Sequence, residues 1–122
     1  MSDRGLRVAV LGAFALVAVA GCFSERVAAP ERNPDLCTNN DPAVIRVRNF
    51  SFQPAQLTVQ PGTEVTWVNC GPDQHTSTSD AGVWSSGLLA PNAVFRRTFN
   101  QAGSFPYHCD PHPFMMGTIV VQ

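Results

Sequence analysis

The amino-acid sequence predicts an all-β domain, a sandwich or a barrel, and three observations carry that prediction. From about residue 43 onward the apolar residues come in short runs rich in Val, Ile, Thr, Phe and Trp. Proline and glycine punctuate those runs, 10 and 9 of them in 122 residues, which is too dense for long uninterrupted elements. No helix of useful length is visible in that region.

The domain is preceded by two segments of different character. Met1 to Arg7 is basic on balance, and Val8 to Ala20 is an apolar run broken only by Gly12. Its length, charged flank and small-residue end read as an export signal rather than a membrane-spanning or buried helix. Phe23 to about Pro42 is Pro, Asn, Asp, Glu, Arg and Ala without apolar periodicity, and reads as a tether. The expected division is a leader over 1–21, a tether over 22–42 and the domain over 43–122, near the size at which core burial alone is marginal.

Within the domain each run has its own signature. Ala43 to Phe50 alternates, with Ile45 and Val47 on one face and Val44, Arg46 and Arg48 on the other, so it is a half-buried strand. Leu57-Thr58-Val59-Gln60 is a second strand, and Pro61-Gly62 turns the chain. Thr63 to Asn69 points Val65 and Trp67 inward and Glu64 and Thr66 outward. Thr76 to Asp80 is polar with no core face, and Val83 to Leu89 reads as irregular structure around one short strand. Ala93 to Phe99 is a strand in which Arg97 shares a side with Phe95 and Phe99, an awkward core position that a bulge or an early exit from the sheet would relieve. Phe105, Tyr107 and Cys109 share a face of the next strand, where Pro106 must turn its missing amide away from a ladder. Gly117 to Val121 closes the domain.

Chemistry concentrates in Tyr107-His108-Cys109-Asp110-Pro111-His112-Pro113-Phe114-Met115-Met116-Gly117. This stretch holds a thiolate donor, an imidazole three positions later and a thioether six positions later. His75 offers a second imidazole from an upstream loop, 34 residues before the cysteine. Two histidines and one cysteine with a weak axial methionine suit a copper ion cycling between Cu(I) and Cu(II), because thiolate and thioether hold the reduced ion while imidazole serves both states. Pro111 and Pro113 stiffen the loop around His112, which fits a site that keeps one geometry in both states. His108 points away from Cys109 by alternation and reads as an exposed strand residue.

The spacing of Cys109, His112 and Met115 resembles the small blue copper proteins, the cupredoxins, and the Cys-Asp-Pro-His-Pro-Phe-Met run is most similar to the short ligand loop of the amicyanin and plastocyanin group. The resemblance covers about Phe50 to Val121. It implies a Greek-key β-sandwich of seven to eight strands with one copper ion at one end, held by His75, Cys109, His112 and Met115. Met115 rather than Met116 matches the axial spacing, with Gly117 as the small residue that follows. Asn69, in Trp67-Val68-Asn69, takes the place of an asparagine that ties the two ligand loops together and tunes the thiolate. The run Cys70-Gly71-Pro72-Asp73-Gln74 departs from the family pattern and leaves the conformation of that loop open. Around His112, the residues Leu89, Pro91, Pro111, Pro113 and Phe114 would form an apolar rim for docking.

Val19-Ala20-Gly21-Cys22 resembles a bacterial lipoprotein signal, in which Cys22 becomes the lipidated first residue and anchors the protein to a membrane. With Cys22 on lipid and Cys109 on metal, Cys37 and Cys70 remain of the four cysteines. In an exported chain these two are expected to pair, the alternative being two free thiols.

Formal charge is −1 with no lysine in the chain, so no polybasic patch remains and nucleic acid is excluded as a partner. The reading is a lipid-anchored monomer facing the periplasm or cell exterior that shuttles single electrons between redox partner proteins by transient docking. It is not an enzyme: no carboxylate pair or second metal motif accompanies the site, and three histidines are too few for a multicopper oxidase. Rival readings are copper storage, delivery or sensing with the same ligands, zinc in the same cage, and an interaction module with a vestigial site.

Overall fold

The computed structural model describes residues 29–122. The leader, Cys22 and the first part of the expected tether lie outside the described residues. Eight strands run in order as β1 (Val44–Arg48), β2 (Ser51–Gln53), β3 (Gln56–Val59), β4 (Thr63–Asn69), β5 (Thr78–Ser79), β6 (Val94–Phe99), β7 (Gly103–His108) and β8 (Met116–Val121). They form two four-stranded sheets, β2-β1-β4-β6 and β3-β8-β7-β5. β1 runs parallel to β4 and β3 parallel to β8, while the other neighbours are antiparallel. The Greek-key sandwich expected from the ligand loop is therefore the fold.

The core lies between the sheets, where alternation along each strand sends one face inward. Ile45, Val47, Val65, Trp67, Tyr107 and Ile119 are wholly buried there, with Phe52, Trp84 and Phe99 packed around them. Trp67 meets Tyr107 edge-on at 5.5 Å between ring centroids, and Tyr107 meets Phe52 at 4.7 Å. Each aromatic or branched side chain buried this way contributes roughly 1.5–3 kcal/mol.

The outer face of the first sheet is also covered, which strict alternation does not anticipate. Val44, Val68 and Val94 are buried in a second cluster against Leu36, Cys37 and Cys70. The cover is the arm before β1. Pro34–Cys37 forms a 3-10 turn capped by the preceding Asn33, whose side chain accepts from the Asp35 amide. Arg32 bridges Ala93 beside β6, and Cys37 is disulfide-bonded to Cys70. Where composition reads as a tether, residues 31–37 are fastened to the sheet, by the expected Cys37–Cys70 bond and by a strand-like pairing of Arg32 that composition does not signal.

Three other expectations change. Thr76 to Ser79, polar and without an evident core face, is mostly buried, and the short strand sits here at β5 rather than within 83–89. Hydrogen bonding makes that burial tolerable: Trp84 Nε1 donates to Ser77 Oγ at 3.0 Å, and the Ser77 amide donates to Ser86 Oγ at 2.8 Å. No bulge interrupts β6, whose register with β4 is continuous from Thr63↔Phe99 to Val68↔Val94. Arg97 instead stays on the core side and lays its guanidinium over Trp84 and Phe99, 5.3 and 5.6 Å from their centroids. Pro106 behaves as its chemistry demands. Its carbonyl accepts from the Asp80 amide, beyond the end of β5, so its missing N–H faces an edge where no ladder continues.

Candidate metal centre

Two strand ends in opposite sheets deliver the site. β4 ends at Asn69 and leads into the loop carrying His75, while β7 leads directly into Cys109 and the connection to β8. His75 Nδ1 and His112 Nδ1 each lie 3.7 Å from Cys109 Sγ and 3.2 Å from each other. The centre of that triangle is about 2 Å from all three atoms, a metal–nitrogen bond length and slightly under a metal–sulfur one. His75 and Cys109 are fully buried and His112 is half-buried. Two imidazole nitrogens and a sulfur thus converge at the separation a single ion needs.

His75 is held from every side. Its backbone pairs in both directions with Leu89, the amide of each donating to the carbonyl of the other. Its Nε2 meets Asn49 Oδ1 at 2.8 Å. Burial pushes its pKa down, and the neighbouring His112 adds to the effect, against an opposing pull from Asp73. The ring is therefore biased toward the neutral form that can ligate a metal.

The downstream loop closes on itself. The Cys109 amide donates to the Met115 carbonyl at 3.1 Å and the Met115 amide to the His112 carbonyl at 2.9 Å. Thr76 joins this loop to the upstream one. Its amide points at Cys109 Sγ at 3.4 Å, and its hydroxyl accepts from the Asp110 amide at 2.8 Å. Burial separates the two methionines, Met115 at 2 % exposed and Met116 at 67 %.

Residues 12–121 match the cupredoxin-like domain family. The chain belongs to the cupredoxin-like family. Amicyanin of Paracoccus denitrificans is 28% identical over 124 residues, covering 96% of this chain and 92% of that protein. A chloroplastic plastocyanin of Tetradesmus obliquus is 33% identical over 87% of this chain and 77% of its own length. Among solved structures, the Cu(I) form of a point mutant of amicyanin superposes with a TM-score of 0.66 at 30% identity, over 77% of this chain and 92% of that one.

Within this cupredoxin the structure brings together His75, Cys109 and His112, with Met115 buried on the same loop. Two expectations change. Asn69 does not tie the ligand loops to each other. Its Nδ2 donates to the Asp73 and Leu89 carbonyls at 2.6 and 2.8 Å and its Oδ1 accepts from the Gly71 amide, so it shapes the His75 loop alone. The tie between loops falls to Thr76, adjacent to the histidine, which only its position next to a candidate ligand could have flagged. Leu89 is not part of an exposed rim. It is buried at 4 % because its backbone pairing with His75 draws it under the loop. Pro91, Pro111, Pro113 and Phe114 are exposed. Phe50, which sequence reasoning did not single out, lies 4.9 Å from the His112 ring and 5.8 Å from Phe114. His108 stays outside the donor triangle, held by Asp80 Oδ1 at 2.5 Å and Asp110 Oδ1 at 3.1 Å, contacts that push its pKa up, Asp80 foremost.

Proposed function

We propose that this chain is a type 1 copper electron carrier whose ion would be held by His75, Cys109, His112 and Met115. The observation that carries the reading is the triangle of one sulfur and two imidazole nitrogens whose centre lies about 2 Å from each. Copper bound there supplies one-electron cycling between Cu(I) and Cu(II). The chain's own residues do the rest. His75 and Cys109 are sealed from water, and the doubly hydrogen-bonded 109–115 loop keeps the donors apart at fixed distances, so little rearranges when the charge changes. His112 alone reaches toward solvent, and its ring packs against Phe50 and Phe114, which are 48 % and 66 % exposed. These two phenylalanines with Pro91, Pro111 and Pro113 form the apolar surface on which a redox partner docks, briefly and over a small area.

The export and anchoring reading belongs to the same proposal. Residues 31–33 run antiparallel to the start of β6, heading toward the metal end of the sandwich, with Glu31 paired to Arg96. The Cys37–Cys70 disulfide suits an oxidising compartment.

The test is an optical and spin-resonance spectrum of the copper-loaded chain. An intense sulfur-to-copper charge-transfer band with reversible reduction is expected. A colourless copper complex, or preferential retention of zinc, would defeat the carrier reading. Phe50→Ala with Phe114→Ala should leave that spectrum intact and slow electron exchange with partner proteins.

A further inference from the structure

The run Cys70-Gly71-Pro72-Asp73-Gln74, which departs from the family pattern, lies beside the turn between β1 and β2. Parallel pairing of Val47 with Asn69, continued by the Cys70 amide donating to the Val47 carbonyl, carries Asn49 alongside Gly71. There the Asn49 side chain makes two contacts of opposite sense. Its Nδ2 donates to Asp73 Oδ2 at 2.8 Å, and its Oδ1 faces His75 Nε2 at 2.8 Å.

We infer that Asn49, oriented by Asp73 and admitted by Gly71, is a positioning residue that sets the tautomer of His75. The argument is one of donors and acceptors. An ionised carboxylate only accepts, so Asp73 demands the amide nitrogen of Asn49 and leaves the amide oxygen for the histidine. That oxygen also only accepts, so His75 must carry its hydrogen on Nε2. The lone pair is then on Nδ1, the atom 3.7 Å from Cys109 Sγ and 3.2 Å from His112 Nδ1. Gly71 is required sterically: a Cβ there would stand 2.6 Å from Asn49 Oδ1 and 3.2 Å from the Asn49 backbone nitrogen. The departure from the family pattern thus has a use, since Gly71 makes room for Asn49 while Asp73 aims it. The consequence for metal binding rests on the copper reading above, whereas the tautomer does not.

Nitrogen-15 NMR of the metal-free full chain, above the pH range where imidazoles protonate, reads the tautomer directly. The unsubstituted chain should show His75 protonated at Nε2. Asn49→Leu removes the acceptor and excludes water from its place, and should shift the ring toward protonation at Nδ1. Loaded with copper, that variant should release the metal to a chelator about 10-fold faster or more, with a changed reduction potential. The double variant Asn49→Asp with Asp73→Asn exchanges donor and acceptor between the two positions while keeping an acceptor against Nε2, and should restore tautomer and release rate together. Because Asn49 and Asp73 are both exposed residues, these variants should fold. An unchanged tautomer in Asn49→Leu, or a double variant no closer to the original chain than Asn49→Leu, overturns the inference. A chain that binds no copper would defeat the carrier reading, and the tautomer would still decide this one.

Discussion

The two loops that meet at the metal centre achieve rigidity by different means. The His75 loop is fastened by ties to distant parts of the chain: Leu89 through the backbone, Asn49 through a side chain, and the N-terminal arm through Cys37–Cys70. The Cys109–Met115 loop is short and stiff in itself, with two internal backbone bonds and prolines on both sides of His112. The first arrangement buries its histidine completely, and the second leaves its histidine with an edge toward solvent. An electron carrier needs both, one side held immobile and the other open to a partner. Each kind of rigidity can be removed separately.

The largest effect should come from the longest tie. Replacing both Cys37 and Cys70 by Ser frees a cross-link spanning 33 residues and should lower unfolding free energy by about 2–5 kcal/mol, read from denaturant midpoints. Since Cys70 is five residues before His75, copper release should quicken as well. An unchanged midpoint would mean that the pairing of Arg32 with Ala93 holds the arm unaided. Next comes the base of the downstream loop. A Cβ on Gly117 would lie 2.4 Å from both Tyr107 Cζ and Oη, and Tyr107 is wholly buried, so Gly117→Ala should cost about 1–3 kcal/mol in the same assay. If Gly117→Ala instead proves neutral, Tyr107 can shift, and the second loop is less stiff than its bonds suggest.

The seam between the loops comes third. Thr76→Val keeps the volume and the amide that faces Cys109 Sγ but removes the acceptor of the Asp110 amide and the hydroxyl contact with Thr78 Oγ1. A loss of about 1–3 kcal/mol is expected by denaturation, the usual size for two part-buried hydrogen bonds. No loss would mean that Asp110 is held by its side-chain contacts with Thr78 and His108.

What could be read from the sequence divides along the same line. The proposed downstream donors could be picked out because the loop is contiguous, and Cys109, His112 and Met115 keep a spacing that needs no knowledge of the fold. The strands of the core were legible wherever one face is apolar, as in Val65 and Trp67. Asn49, Phe50 and Thr76 were not, because each acquires its role from a neighbour more than 20 residues away, brought close by strand register. Leu89 was misjudged for the same reason: an apolar residue near an exposed site looks like its rim until backbone pairing draws it under. Arg97 shows alternation applying where chemistry argued against it, since two aromatic faces make the inward position acceptable.

The smallest effect lies at the far end of the arm, where Glu31 meets Arg96 at 2.9 Å on the surface. The hydrogen bond from Arg96 holds the Glu31 carboxyl below its ordinary value. A carboxyl lowered in the folded state favours folding above its unfolded pKa, and the contribution fades as pH falls through the folded one. Both groups are largely exposed and screened by salt, so Glu31→Gln should leave the denaturation midpoint of the whole domain unmoved. The effect should instead be local. The amides of Asn33 and Val94, which join the arm to β6, should exchange faster in the variant at neutral pH and low salt. The two proteins should converge in acid, where Glu31 is protonated and the ion pair no longer exists in either. A difference persisting in acid would mean that the glutamine disturbs the backbone pairing itself, and that charge is not what clamps the arm beside β6.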